Sequence, residues 1–300
     1  MVKKVGLNLM KVQQLYGGDF AGVLEVAKLA DAKGVDEVHI SDHVAISAAG
    51  HAAKVGFPYD LDFPGWYEPI AVLSAVAAVT KNVKLATNIM IATLRPAILL
   101  AKQVATLDVI SNGRVEIGFG VGWQKEEFDA SNIPFEGRYG MMIEQIKVCR
   151  ALWGGAPASF DGQHVKFRDF YSLPLPVQGA RLPISIGLPP TPRNLERMAE
   201  VGDGWFPHPV PAAELKEGID LVRGAFIKRG RSPKELKVTA ALTLLGEGVT
   251  AEQAGIKDPF AEVPSLFDAG ADVVVAHTFP YCKTKADIGP FIDRLVALKK

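Results

Sequence analysis

The chain has 300 residues, 48% of them hydrophobic, and 33 basic side chains balance 33 acidic ones. A formal net charge of zero provides no field for nucleic acid or an anionic membrane surface, and no run of about 18 apolar residues reads as a membrane span. The N-terminal apolar run is too short for a signal peptide, and Cys149 and Cys282 lie far apart without metal-type spacing, so a reduced, cytoplasmic context is expected.

Residues 5–10 read as the first strand. Phe20, Val23, Leu24, Ala27 and Ala30 recur at helical spacing over 20–33, and Gly34 closes that helix as a C-cap. The stretch VDEVHISD (35–42) is a strand ending in charged groups, and a polar, glycine-rich loop over 44–67 follows. A helix over 69–80 leads to a strand over 83–92, which carries polar Thr87 and Asn88 inside an apolar run. A helix over 96–111 opens on Pro96, and Asn112-Gly113 turns the chain into VEIGFGVG. Beyond it the pattern predicts a helix over 137–153, a hairpin over 160–170 and a strand over 182–188. A helix over 192–201, a short strand in GDGWFP and a helix over 212–229 come next. The chain closes with a strand over 236–245, a helix over 259–268, a strand over 271–279 and a helix over 285–298.

Eight strands alternate with helices, and the strands are apolar on both faces, as buried parallel strands are. The fold class is α/β, a TIM (β/α)8 barrel, forming a single domain over 1–300 with an insertion at about 123–181. No seam divides the chain into two Rossmann halves, which disfavours a doubly wound open sheet. Barrel chemistry sits at the strand C-termini. Those ends carry Ser41-Asp42-His43, Thr87-Asn88, Gly120-Val121-Gly122-Trp123 with Glu126 and Glu127 behind, and Gly187-Leu188-Pro189-Pro190 followed by Thr191, Arg193 and Asn194. The later strands add Trp205, His208, His277, Thr278 and Tyr281. Aromatic and small residues with few paired carboxylates suit a flat aromatic ligand better than a sugar or an ester.

Each feature also has a plainer reading. Asp42-His43 could cap a turn, the glycines could mark tight packing or a bulge, and Thr191 could serve only as a helix N-cap. The G-x-G-x-G of 118–122 is not the dinucleotide fingerprint G-x-G-x-x-G, and neither a serine nucleophile elbow nor H-E-x-x-H occurs. A metal-hydrolase barrel would need Asp42 or His43 with His208 and His277, because His39 and His43, about 13 Å apart along a strand, cannot ligate one ion together. No metal is expected. Gly118, Gly120 and Gly122 share one strand face, which leaves a gap in the barrel mouth that a tricyclic ring could use. Phe119 and Val121 would then pack outward, and Trp123 would wall the substrate side.

Four stretches together resemble the luciferase-like monooxygenase superfamily, in particular its coenzyme F420-dependent oxidoreductase branch. They are GVDEVHISDHV, the long block VKLATNIMIATLRPAILLAKQVATLDVISNGRVEIGFGVGW, FEGRYGMMIEQIKVCRALW, and LPISIG with AEVGDGWFP. The last third matches only in its strand–helix rhythm. The resemblance implies a flavin-type cofactor in the barrel mouth, F420 with FMN as the alternative, and hydride transfer to or from its central ring. It implies that Asp42 and His43 face that ring, that Thr87, Asn88, Ile89 and Met90 back it, and that a non-proline cis peptide joins Asn88 to Ile89. Gly187, Leu188, Thr191 and Arg193 match the phosphate-binding turn, although Leu188 departs from the family's second glycine. Trp123 stands where the sugar-phosphate dehydrogenases of the superfamily carry an acid, which argues for an apolar substrate wall. The general acid or base falls to His43, with His277 and Tyr281 in reserve. The resemblance further implies a homodimer acting on a small-molecule substrate, with the 44–67 loop (His51, Phe57, Tyr59, Phe63 and Trp66) over the pocket. An FMN-dependent monooxygenase and a non-catalytic flavin-binding barrel are the other readings of this fold.

Overall fold

Alternate residues of a strand face opposite sides, and in this chain the two sides meet different partners. The computed structural model describes residues 2–53 (side chains to 50), 66–242, 258–279 and 281–300. In chain order its elements are β1 (Lys4–Asn8), α1 (Ala21–Lys33), β2 (Glu37–Ile40), α2 (Ala48–Ala53), α3 (Pro69–Val79), β3 (Lys84–Thr87), β4 (Met90–Ile91), α4 (Ala97–Ser111), β5 (Val115–Gly120), α5 (Lys125–Ala130) and α6 (Arg138–Gly154). They continue with β6 (Ala158–Asp161), β7 (Lys166–Phe170), β8 (Ile184–Ile186), α7 (Pro192–Val201), β9 (Gly204–Trp205), α8 (Ala212–Lys228), β10 (Lys237–Ala241), α9 (Val263–Ala269), β11 (Val273–His277) and α10 (Ile288–Ala297).

Among the described residues, eight parallel strands close in the order β3-β2-β1-β11-β10-β9-β8-β5, and pairing of β3 with β5 seals the barrel. Outward residues such as Val5, Leu7, Val38, Leu85, Ile117, Phe119, Ile184 and Val274 join the helices in one large core. Inward residues form a separate apolar group of Phe206, Ala241, Val273 and Val275, with Ile89 against it. The opposite end of the barrel is filled by ions. Lys237 Nζ lies 2.6 Å from Glu37 Oε1 and 2.7 Å from both oxygens of Glu116. Such a cluster specifies packing more than it adds stability, because desolvation offsets much of the attraction.

Local signals place the helix ends. Gly34 and Asn112 adopt left-handed φ values of 84° and 56° and donate back to the last turns of α1 and α4. Glu68 caps α3 by accepting from Ala71 N–H, with Pro69 in the first turn. Several boundaries differ from the sequence reading. The strand expected over 83–92 is split into β3 and β4 by a cis peptide between Asn88 and Ile89. Pro96 precedes α4 as its N-cap instead of opening it. Helix α5, which the sequence reading lacked, follows β5 directly, and α9 begins at Val263, later than expected. The hairpin is present as β6 and β7, in the connection between β5 and β8. Residues 243–245 of the expected seventh strand, and residues 54–65 of the 44–67 loop, lie outside the described residues.

Candidate active site

A cavity of about 620 Å³ opens at the C-terminal ends of the strands, with Ile89 in its wall. The chain kinks at the cis peptide, and the Ile89 side chain enters the barrel against glycines. A Cβ on Gly120 would lie 2.3 Å from Ile89 Cδ1, one on Gly187 2.4 Å from the same atom, and one on Gly118 2.9 Å from Ile89 Cγ2. Any side chain there would collide with Ile89. The glycine face therefore does not leave an open slot, as the sequence suggested. It makes room for Ile89, which is the platform on which a flat ring can stack.

Asp42 is buried and fixes the approach to this platform. Its Oδ2 accepts from Ile91 N–H at 2.8 Å and from Arg95 Nη1 at 2.7 Å, while Oδ1 accepts from Arg95 Nη2 at 3.0 Å. Burial pulls the Arg95 pKa down, but the Asp42 carboxylate outweighs it and holds the guanidinium above its ordinary range. Arg95 also reaches Glu68 at 3.0 Å and ties the end of β2 to the segment after the kink. Asp42 thus lines the cavity with both oxygens engaged by Arg95 and Ile91 N–H, and it braces the end of β2.

His43 stands beside it, 7% exposed, with its ring edge-on to Trp66 and Trp123 at 5.1 and 5.8 Å between centroids. Its Nδ1 lies 3.1 Å from Glu127 Oε2. The other Glu127 oxygen accepts from Val44 N–H at 2.5 Å and Ala45 N–H at 3.1 Å. Burial pushes the Glu127 carboxyl up, but His43 and those two N–H groups outweigh it and hold it below the ordinary 4.5. From the same end of α5, Gln124 accepts from Ser47 N–H at 2.7 Å and donates to Ala45 O at 2.7 Å. The first turn of α5 thereby grips the segment after β2 and aims the His43 ring.

Of the residues singled out from the sequence, Asp42, His43, Asn88, Ile89, Gly120, Gly122, Trp123, Gly187 and Leu188 line this cavity, as do His208 and His277. Four others do not. Thr87 lies behind the wall, where its hydroxyl donates to Gly118 O at 2.8 Å and accepts from Gly118 N–H at 2.9 Å. Met90 points outward into the helix-facing core. Thr191 precedes α7 without a side-chain cap, and both Thr191 and Arg193 are exposed. Within the turn after β8 two N–H groups are already committed. Gly187 N–H donates to Phe119 O, Thr191 N–H folds back on Pro189 O, and Pro189 and Pro190 have no N–H. Among the described residues, the cation on the cavity wall is Arg138, at the start of α6, beside Tyr139. Tyr281, held in reserve as an acid, stacks on Phe291 at 6.2 Å and is not a cavity residue; Trp205 is turned to the core, where its indole N–H donates to Leu188 O at 2.9 Å.

Sequence reasoning assigned no role to Glu127, Gln124, Arg95, Arg138 or Tyr139. A signal for Glu127 was present: it adjoins Phe128 on what becomes the inner face of α5, next to the exposed Glu126. Among the described residues, no group of three histidine, cysteine or carboxylate side chains is arranged to hold a metal ion, and no helix is long and apolar enough to cross a membrane.

The fold and the cavity define a class: a TIM barrel with a cis-peptide platform and a histidine–carboxylate pair at the strand C-termini. Residues 5–252 match the family model described as luciferase-like monooxygenase, and the chain belongs to that family. It is 32% identical over 210 residues to an uncharacterised protein of Mycobacterium tuberculosis, covering 68% of this chain and 73% of the relative. It is 29% identical over 224 residues to the F420-dependent glucose-6-phosphate dehydrogenase of Mycolicibacterium fortuitum, covering 71% of this chain and 61% of that one. Among solved structures, an F420-dependent secondary alcohol dehydrogenase superposes over 100% of both chains with a TM-score of 0.80 at 17% identity. The FMN-bound oxygenating component of 3,6-diketocamphane monooxygenase from Pseudomonas putida superposes over 100% of this chain and 97% of its own with a TM-score of 0.71 at 18% identity. The family thus holds F420-dependent and FMN-dependent oxidoreductases.

Proposed function

We propose that this protein transfers a hydride between F420 and a small uncharged organic substrate. The observation that carries the reading is the pairing, in one cavity, of the Ile89 platform with the buried His43–Glu127 pair. The platform fits a tricyclic ring, because three glycines withdraw so that one apolar side chain can support it from behind. Ile89, Gly120, Gly187 and Leu188 would hold the ring, and Arg138 is the cation placed for a side-chain phosphate. When bound, a deazaflavin supplies two-electron hydride exchange.

The remaining chemistry belongs to the protein. Hydride exchange at a carbonyl or alcohol carbon requires a proton to move at the neighbouring oxygen. His43 supports that transfer through Nε2, the nitrogen opposite the one that Glu127 holds. Glu127 fixes the ring orientation and balances the charge of an imidazolium. Trp66 and Trp123 flank the ring and exclude water. Similarity to the F420-dependent dehydrogenase of Mycolicibacterium fortuitum favours F420 over FMN, while Trp123 and the apolar walls favour an uncharged substrate over a sugar phosphate. Incubation with oxidised F420 and a panel of secondary alcohols tests the reading. Loss of the visible absorbance of F420 with alcohol oxidation is the expected result. Oxygen consumption with FMN and an electron donor, without any F420 reduction, would replace the reading with that of a monooxygenase.

A further inference from the structure

His277 ends β11 and lines the inner part of the cavity, 3% exposed. Neither of its ring nitrogens has a hydrogen-bond partner. It shares a layer of the barrel with His39, since Asn8 of β1 pairs with His39 on one side and with His277 on the other. Asn8 offers it nothing, because its amide is committed to Ser41 and to Met10 N–H. His39 has an unpartnered Nδ1, and its Nε2 lies 3.3 Å from Glu37 Oε2 without hydrogen-bond alignment. Around these rings the wall is apolar: Phe206 sits edge-on to His39 at 5.9 Å, and Ala241 and Ile89 complete the inner end. Buried polar groups in proteins are nearly always paired, so an orphaned imidazole facing a cavity is a place for a ligand atom.

We propose that His277 is a specificity-determining residue that hydrogen-bonds an uncharged oxygen of the substrate at the inner end of the cavity, so that the site takes neutral hydroxyl or carbonyl compounds and rejects anions there. The inference rests on the oxidoreductase reading for the word substrate; the cavity and the orphaned ring are independent of it. Burial, and then the neighbouring His39, pull the His277 pKa down to about 3, so the ring is neutral under ordinary conditions. A neutral imidazole offers one donor and one acceptor and suits a hydroxyl in either direction. It offers no charge to a carboxylate or phosphate. Of the buried cations among the described residues, Lys237 is taken up by Glu37 and Glu116, Arg95 by Asp42 and Glu68, and Lys11 Nζ lies over the Phe279 ring at 4.3 Å, outside the cavity lining. An anion driven to this end would lose its water without a counter-charge.

The probe is cyclohexanol, with cyclohexanecarboxylate as its anionic counterpart, titrated into protein with and without bound cofactor. Ring-nitrogen NMR of ¹⁵N-histidine-labelled protein reads the contact directly. The His277 resonances should move with cyclohexanol, and the carboxylate should bind more weakly. His277→Phe, which keeps the volume and removes the polar atoms, should weaken cyclohexanol about tenfold, the worth of one buried hydrogen bond. His277→Gln should stay within about threefold of the wild type, because it retains a donor and an acceptor. Unmoved His277 resonances at saturation, equal affinity in His277→Phe, or tighter binding of the carboxylate would overturn the proposal. So would failure of the folded, cofactor-binding wild type to bind cyclohexanol at all. Failure to bind either F420 or FMN, with cyclohexanol still shifting His277, would instead remove the oxidoreductase reading and leave the binding site.

Discussion

Replacing Glu127 by glutamine separates its two tasks. The carboxylate is 2% exposed and makes three contacts, to the N–H groups of Val44 and Ala45 through one oxygen and to His43 Nδ1 through the other. A glutamine can turn its carbonyl oxygen toward the two N–H groups and keep both. Its amide nitrogen then faces His43 Nδ1, and an N–H cannot accept from the imidazole. The charged hydrogen bond is lost, which is worth about 1.5–3 kcal/mol. Expressed on the chemical step, this is a fall in kcat of about 10- to 150-fold, since each 1.36 kcal/mol is one decade. Cofactor affinity should not change, because Glu127 is not among the residues that line the cavity. Glu127→Ala would in addition remove the acceptor of the Val44 and Ala45 N–H groups, at about 0.5–1.5 kcal/mol each, and its melting temperature should fall by a few degrees. Steady-state kinetics of Glu127→Gln with F420 and an accepted alcohol, alongside a cofactor titration, decide the matter. A kcat within twofold of the wild type would show that His43 does not depend on Glu127 and would refute the reasoning.

Gly120→Val should cost cofactor binding at least tenfold while the barrel still folds, because Ile89 Cδ1 is wedged between Gly120 and Gly187 and moves into the cavity when displaced; unchanged affinity by titration would mean that the glycines serve packing alone. Arg95→Ala leaves the buried Asp42 carboxylate without its bidentate partner, and urea unfolding should register a loss of about 3–5 kcal/mol. The pH dependence of stability follows from three carboxylates held below their ordinary values. In each, burial pushes the pKa up and is outweighed: Asp31 by the N–H groups of Lys81, Val83 and Asn82, Glu127 by His43 with Ala45 and Val44, and Glu144 by the N–H groups of His164, Val165 and Gln163. A lowered pKa means that the folded state releases the proton more readily than the unfolded chain. The stabilisation is therefore complete above the ordinary values of 3.8 and 4.5 and is lost as pH falls below them. Urea midpoints should drop on acidification, and Glu144→Gln should flatten that drop; an equally steep profile in the variant would contradict the assignment.

The barrel was legible because its signals are local and repeated. Apolar strand runs, helical spacing and glycine or asparagine stops recur through the chain, and Gly34 and Asn112-Gly113 act where they were read. The site was legible where a residue's role follows from its position at a strand end, as for His43, Trp123 and His277 on the cavity wall. It was misread where the role depends on a partner distant in sequence. The glycines of β5 resembled an empty slot because Ile89, about thirty residues earlier, is the group they accommodate. The bracing of Asp42 was hidden because its partner Arg95 lies 53 positions away. Thr191 and Arg193 looked like an anion site because helix N-termini attract anions in general. Here the N–H groups of Gly187 and Thr191 are spent on Phe119 and Pro189, and Thr191 and Arg193 are not among the residues that line the cavity. Glu127 was passed over because helix α5 is a short segment of mostly charged residues, with no periodicity long enough to show its buried face.

The central claim is that the Ile89 platform and the His43–Glu127 pair form a deazaflavin hydride-transfer site. It is tested most directly by equilibrium titration of the purified protein with F420 and with FMN, followed by addition of alcohol to each complex. Saturable binding of F420, loss of that binding in Gly120→Val, and reduction of bound F420 by the alcohol are the expected results. Tight binding of FMN with no response to F420 would contradict the claim.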